Sequence, residues 1–215
     1  MLAMRSVFTR SLLAFVFCTG LLCTAPQAQA ADPGEEAREA LRHNVDGIIT
    51  LLSSAEFKDP QTRPQVRGEI EALIRQSFDY EEFAMRTVGP RWRSFNDDQR
   101  HRFAEAFAAL LRSSYMDQLE SYNGEKVEYA DERASSDGSR VEVQTFIVQP
   151  DKKIPVAYRM LHKDRWVVYD VLVEGISLVK NYRTQFQELL RKESPDELIT
   201  RIIAKAEEVG RANGN

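Results

Sequence analysis

The sequence predicts an α+β domain in which a helical layer packs on one face of a curved, four-stranded antiparallel sheet. Three observations lead there. Apolar residues recur at helical spacing over residues 33–115 and again over 176–206. Between these stretches, from residue 125 to 173, the period falls to two. Asp137-Gly138, Pro150-Asp151 and Lys163-Asp164 cut that middle stretch into runs 126–132, 140–149, 154–162 and 165–173. Runs joined by such short turns pair as an antiparallel meander.

Each helix carries its own start and stop. Asp32-Pro33 is an N-cap followed by proline at the first helical position, and Leu41, Val45, Ile48, Ile49 and Leu52 follow on one side until Pro60. A second helix shows Val66, Ile70, Leu73 and Ile74. Asp79 with Glu82 resembles a capping box, and Gly89-Pro90 ends the short helix it opens. Asn96 with Gln99 is a second box, starting the longest helix with the stripe Phe103, Phe107, Leu110, Leu111 and Tyr115. After the strands, 176–191 carries Leu178, Tyr182 and Phe186, and Ser194-Pro195-Asp196-Glu197 opens a last helix with Leu198, Ile202 and Ile203.

The hairpins set a register. With Lys163-Asp164 as a two-residue turn, Met160 faces Val167, Tyr158 faces Tyr169 and Val156 faces Val171. With 150–153 as a four-residue loop, Val143 faces Met160, Thr145 faces Tyr158 and Ile147 faces Val156. Both place the same residues on one apolar face, leaving Glu142, Gln144, Arg159 and Asp170 on the other.

Residues 1–30 read as a removable export signal: Arg5 and Arg10 supply a positive start, Ser11–Cys23 an apolar run, and Ala28-Gln29-Ala30 a cleavage site. The remainder, 31–215, is expected to be a single domain in the periplasm. The chain has 29 basic and 33 acidic side chains, a net charge of −4. Such a balance argues against a nucleic-acid binder. Both cysteines, Cys18 and Cys23, lie in the signal, which removes disulfides, thiol nucleophiles and thiolate metal sites from the exported chain.

Catalytic and metal chemistry find little support. His43, His101 and His162 fall on separate elements, and no GxSxG, P-loop, dinucleotide or HExxH motif occurs. Asp170 inside WVVYDVLV reads either as a desolvated general base or as the partner of Arg159 across the strands, the ion pair being the expected role. Arg91-Trp92-Arg93 reads as a packed indole with solvated neighbours. What remains is a surplus of large apolar side chains, either a filled core or a cavity for an apolar ligand.

Two stretches resemble a known family. WVVYDVLVEGISLVKNYRTQF, Trp166–Phe186, and FDYEEFAMRTVGPRWRSFNDDQRHRFAEAFAALLRSSY, Phe78–Tyr115, are similar to the toluene-tolerance family, the MlaC-type periplasmic phospholipid-binding proteins. The resemblance implies a carrier, not an enzyme, with a ligand pocket between the helical layer and the sheet for acyl tails, that shuttles glycerophospholipid between outer and inner membranes and maintains outer-membrane lipid asymmetry. It implies no cofactor other than phospholipid as ligand. Its implied partners are an inner-membrane ABC transporter complex with an MCE-domain subunit and an outer-membrane lipoprotein–porin complex. The lipid-lining residues expected from the register are Val143, Ile147, Val156, Tyr158, Met160, Val167, Tyr169 and Val171 from the sheet, facing Phe103, Phe107, Leu110, Tyr182 and Phe186 from the helices. Alternatives are a periplasmic α+β cone enzyme using Asp170 or Tyr169, a carrier of another hydrophobe such as a hopanoid or solvent, and a structural domain with a filled core.

Overall fold

The structure, a computed structural model, describes residues 32–213; the expected export signal lies outside them. The helices are α1 (Pro33–Ser53), α2 (Ala55–Lys58), α3 (Arg63–Ser77), α4 (Tyr80–Val88), α5 (Asp97–Glu120), α6 (Leu178–Leu189) and α7 (Pro195–Asn213), with a 3-10 segment at Gly89–Ser94. The strands are β1 (Lys126–Ala134), β2 (Arg140–Val148), β3 (Lys153–His162), β4 (Trp166–Val173) and β5 (Ile176–Ser177). They form one antiparallel sheet in chain order. The architecture is α+β as expected, with five strands instead of four. The fifth is a two-residue return that the sequence hides at the head of α6.

Local capping chemistry starts the helices where the sequence places it. Asp32 accepts from Gly34 N at 3.0 Å, and Asp79 from Glu82 N at 2.9 Å. Asn96 and Gln99 close a reciprocal capping box, and Ser194 with Glu197 does the same ahead of α7. Asp79 also donates its own N–H to Val168 O at 3.0 Å, which ties the entry of α4 to the edge of β4.

The strand register differs from the expected one in two ways. The β2–β3 loop is Gln149–Lys152, one residue earlier than read. Val143 therefore faces Tyr158, Thr145 faces Val156 and Ile147 faces Ile154. A slip of two residues leaves every side chain on its expected face. The β3–β4 turn holds three residues, so His162 faces Trp166, Leu161 faces Val167 and Met160 faces Val168. That one-residue change exchanges the faces of Trp166–Val168. A bulge at Tyr169 then restores them: Arg159 faces Asp170, and Tyr158 faces Val171. Val143, Ile147, Val156, Tyr158, Met160 and Val171 share the inner face as expected. Val167 and Tyr169 do not; Val168 and Trp166 take the inner positions instead.

The layers also stack differently. The inner sheet face packs on α1, with Ala37 and Leu41 buried among Val141, Val143, Met160 and Val168. Phe103, Phe107, Leu110 and Phe186 are buried in a second cluster with Phe83, Trp92 and Phe95, built by α4, α5, α6 and α7. The expected direct contact between this stripe and the sheet valines is replaced by two cores, bridged by half-buried Phe78 and Leu178. Amphipathic spacing says that a stripe is buried, not what buries it.

Asp170, 2% exposed, joins the layers. It accepts from Ser177 Oγ at 2.7 Å, Val179 N at 3.0 Å and Arg159 Nη1 at 3.2 Å. The expected Arg159 pair is present, and two further donors fix β5 and the first turn of α6. The β4–β5 turn is Glu174-Gly175, with φ of 51° and 80°. Gly175 takes that conformation freely, whereas Glu174 is strained there.

Two outcomes follow from this geometry. Asp170→Ala strands the Ser177 hydroxyl and the Val179 N–H and should cost about 3 kcal/mol in urea unfolding, with an unchanged m-value. Glu174→Asn places a residue that tolerates left-handed backbone ahead of glycine; the urea midpoint should rise by the equivalent of about 0.5–1 kcal/mol.

Candidate functional site

The inner face of the sheet is longer than its helical cover. Its first row, Val141–Met160–Val168, is buried beneath α1. The next inward positions, Val143, Tyr158 and Val171, remain largely covered. Further along the strands, Val127, Ile147 and Ile154 are half-buried, while Val173 is 38% and Ile176 65% exposed. The change has a simple cause. Past Leu41 and Val45, α1 turns its apolar side to other helices: Leu52 is buried with Phe57, Val66 and Ile70, and Ile48 and Leu51 pack against that group. A Cβ on Gly47 would lie 3.3 Å from Leu73, so α1 and α3 approach closely where α1 has left the sheet. Sheet and helices thus part as a wedge with aliphatic walls.

Four half-buried tyrosines flank the two cores: Tyr129 and Tyr158 pack against the sheet cluster, Tyr80 and Tyr182 against the helical cluster. Tyr158 is half-buried, yet burial pushes its hydroxyl up to about 12. Tyr182, also half-buried, is raised to about 12, first by burial and then by Tyr115. Burial raises Tyr80 and Tyr129 as well, the latter further through Asp46 and Tyr158. The Tyr129 hydroxyl is buried without a hydrogen-bond partner. Such a group is rare and calls for an explanation; an acceptor on a ligand in the wedge would supply one. The Arg42 guanidinium lies over the Tyr129 ring, 4.9 Å from its centroid. Thr145, the buried polar residue of the inner face, already donates to Val156 O at 2.9 Å.

Of the expected lining set, the structure brings Val143, Ile147, Val156, Tyr158, Met160 and Val171 together on one wall. Val167 faces the other way opposite Leu161. The Tyr169 ring lies under the Arg86 guanidinium, 4.1 Å from it. Phe103, Phe107 and Phe186 pack on one another, mostly edge-to-face, with Phe107–Phe186 centroids at 5.3 Å, and Leu110 is buried beside them. Tyr182, 4.8 Å from Phe107, is the member of the helical set that retains accessible surface. Sequence reasoning passed over Tyr129, Tyr80, Val45 and Ile154. Tyr129 sits in KVEYADERA, whose polar composition hides it, and a bulge after it breaks the alternation. Arg91 donates to Leu190 O at 2.7 Å and Trp92 stacks on Phe95, so that segment packs the helices as read. Among the described residues, no three histidine, cysteine or acidic side chains come together as a metal site.

What this geometry can do chemically is hold an elongated apolar body against aliphatic walls, with a few phenol groups for its polar end. By build this is an α+β domain whose apolar sheet face is only partly covered by its own helices. Sequence comparison then gives its family: the MlaC protein family matches residues 42–204, and the chain belongs to it. It is 22% identical over 171 residues to the intermembrane phospholipid transport system binding protein MlaC of Haemophilus influenzae, covering 77% of this chain and 80% of that protein. Its fold is similar to that of the phospholipid-binding protein of Ralstonia solanacearum, solved in complex with a phospholipid. The TM-score is 0.71 at 20% identity, over 81% of this chain and 98% of that one.

The tyrosines make the pH dependence of stability specific. Folding raises the Tyr158 and Tyr182 pKa from 10.0 to about 12. The stabilisation tied to their neutral form is therefore complete below pH 10 and lost as pH rises toward 12. Urea unfolding across that window should show stability falling in wild type. The fall should be shallower in Tyr158→Phe/Tyr182→Phe.

Proposed function

We propose that this protein is a periplasmic phospholipid carrier that holds acyl tails in the wedge between the sheet and the helices. The carrying observation is the half-open apolar wall of the sheet, which also carries Tyr129 and Tyr158. Family membership and the phospholipid bound to the Ralstonia solanacearum protein support the choice of ligand. The sequence of residues 1–30, which reads as an export signal, supports the compartment.

The energetics explain why such a carrier is needed. A diacyl lipid has about 30 tail methylenes, each worth roughly 0.8 kcal/mol on leaving water, so about 24 kcal/mol opposes its passage through an aqueous gap. The wedge offsets that cost by replacing water with aliphatic and aromatic surface. A bilayer offsets it equally, so the wedge needs only to match the membrane. Net direction then comes from docking partners. On this reading these are an outer-membrane lipoprotein–porin complex at one end and an ABC transporter complex with an MCE-domain subunit at the other. The task served is maintenance of outer-membrane lipid asymmetry.

The test is the lipid content of protein purified from its producing cells, by native mass spectrometry and solvent extraction. Wild type should carry glycerophospholipid. Ile147→Trp should fill the wedge from a half-buried position, so the variant should fold and carry several-fold less. Wild-type protein with no lipid, or with a hopanoid in its place, would overturn the phospholipid assignment. Bound lipid should also raise the thermal midpoint, since it binds the folded state alone.

A further inference from the structure

On the other side of β4 from the wedge, a concavity of about 310 Å³ opens between β4, α4 and α6. Arg86, Arg159, Lys180 and Arg183 surround it, and Tyr169 and Asp170 contribute to its wall. The carboxylate of Asp170 is already engaged by Ser177, Val179 and Arg159, so it does not compensate Lys180 or Arg183. Arg159 is shared between Asp170 and Glu142. Arg86 pairs with Glu82 at 2.6 Å through one terminal nitrogen, while its Nε is buried without an acceptor. Lys180 and Arg183 have no carboxylate within salt-bridge distance among the described residues.

The arrangement is held in place. Arg183 Nε donates to Arg86 O at 2.7 Å, which tethers its guanidinium to the last turn of α4 and leaves the terminal nitrogens free. Arg86 is stacked on Tyr169. Two uncompensated cations and an orphaned guanidinium N–H in one small concavity, on a chain of net charge −4, call for an anion. Guanidinium forks match phosphate oxygens. The volume lies at the lower end of ligand pockets, which suits a single phosphate group and not a protein surface.

We propose that this concavity binds a phosphate group. Ser177, on its wall, directly follows Ile176, the most exposed apolar residue at the open edge of the sheet. A phosphate here is therefore near the open end of the wedge. One source is the head group of the carried lipid, which rests on the function proposed above; the other is free phosphate.

The experiment titrates delipidated wild type with inorganic phosphate at low salt by calorimetry, alongside Lys180→Gln and Lys180→Gln/Arg183→Gln. Thermal unfolding checks that each variant folds; the single variant changes an exposed side chain with no hydrogen bond and keeps the test open if the double variant fails. Wild type should bind saturably, the single variant more weakly, and the double variant by about 10-fold or more less tightly. Phospholipid content of protein as purified then separates the sources. Variants that lose lipid along with phosphate binding identify the head group; variants that keep wild-type lipid identify free phosphate. Absence of saturable phosphate binding in delipidated wild type overturns the site. So does tighter binding of poly-glutamate than of phosphate, which would make it a docking surface for an acidic segment. Phosphate binding by a wild type that carries no phospholipid leaves the site standing and removes the carrier function alone.

Discussion

A buried carboxylate must have its lone pairs filled, and the way Asp170 meets that condition organises much of this protein. It draws a serine hydroxyl, a backbone N–H and a guanidinium from three places in the chain onto one strand position. The serine and the N–H belong to the end of β5 and the first turn of α6. Strand and helix are thereby locked at a fixed angle. The bulge at Tyr169 makes this possible, because it turns Asp170 back to the outer face after the three-residue β3–β4 turn has reversed the alternation. With Asp170 facing outward, Val171 faces inward beside Tyr158. Leu178, at the head of α6, reaches both hydrophobic clusters.

That clamp lets two cores coexist without merging. The helical cluster closes on itself through its aromatic rings: Phe103, Phe107 and Phe186 meet mostly edge-to-face. The sheet cluster closes only under the N-terminal half of α1. Between them runs apolar surface that neither core covers completely. A monomeric protein rarely leaves contiguous surface of this kind without a use. The two polar features of the region sit apart. Tyr129 and Tyr158 belong to the inner face of the sheet, and the arginines lie beyond β4, so apolar and ionic recognition do not compete for the same walls.

Much of this was legible in the residues. The caps at Asp79, Asn96 and Ser194 are encoded within four residues, so the helix starts follow from local chemistry. The inner faces of β2 and β3 were readable because a two-residue error in loop length preserves alternation. The family resemblance, carried by the blocks from Trp166 to Phe186 and from Phe78 to Tyr115, rests on residues that the structure shows to be the clamp and the helical core. The same local logic failed on β4, where one extra turn residue and one bulged residue each reverse the faces, and on Tyr129, which follows no apolar alternation.

The sequence by itself determined the main element types, the capped helix starts, the acidic balance and the partnership of Arg159 with Asp170, because each depends on neighbours along the chain or across one hairpin; it did not show the break at Ser54 that ends α1 before α2, nor β5 at the head of α6. Tertiary structure decided which face Val167 and Tyr169 occupy, that α1 and not α5 covers the sheet, and that sheet and helices part at the end marked by Ile147 and Ile176. The physical reason is common to all three. Periodicity specifies that a side chain avoids water, but hydrophobic burial is non-directional. Only the three-dimensional competition among helices for the same apolar surface settles which partner supplies the cover and where the cover ends.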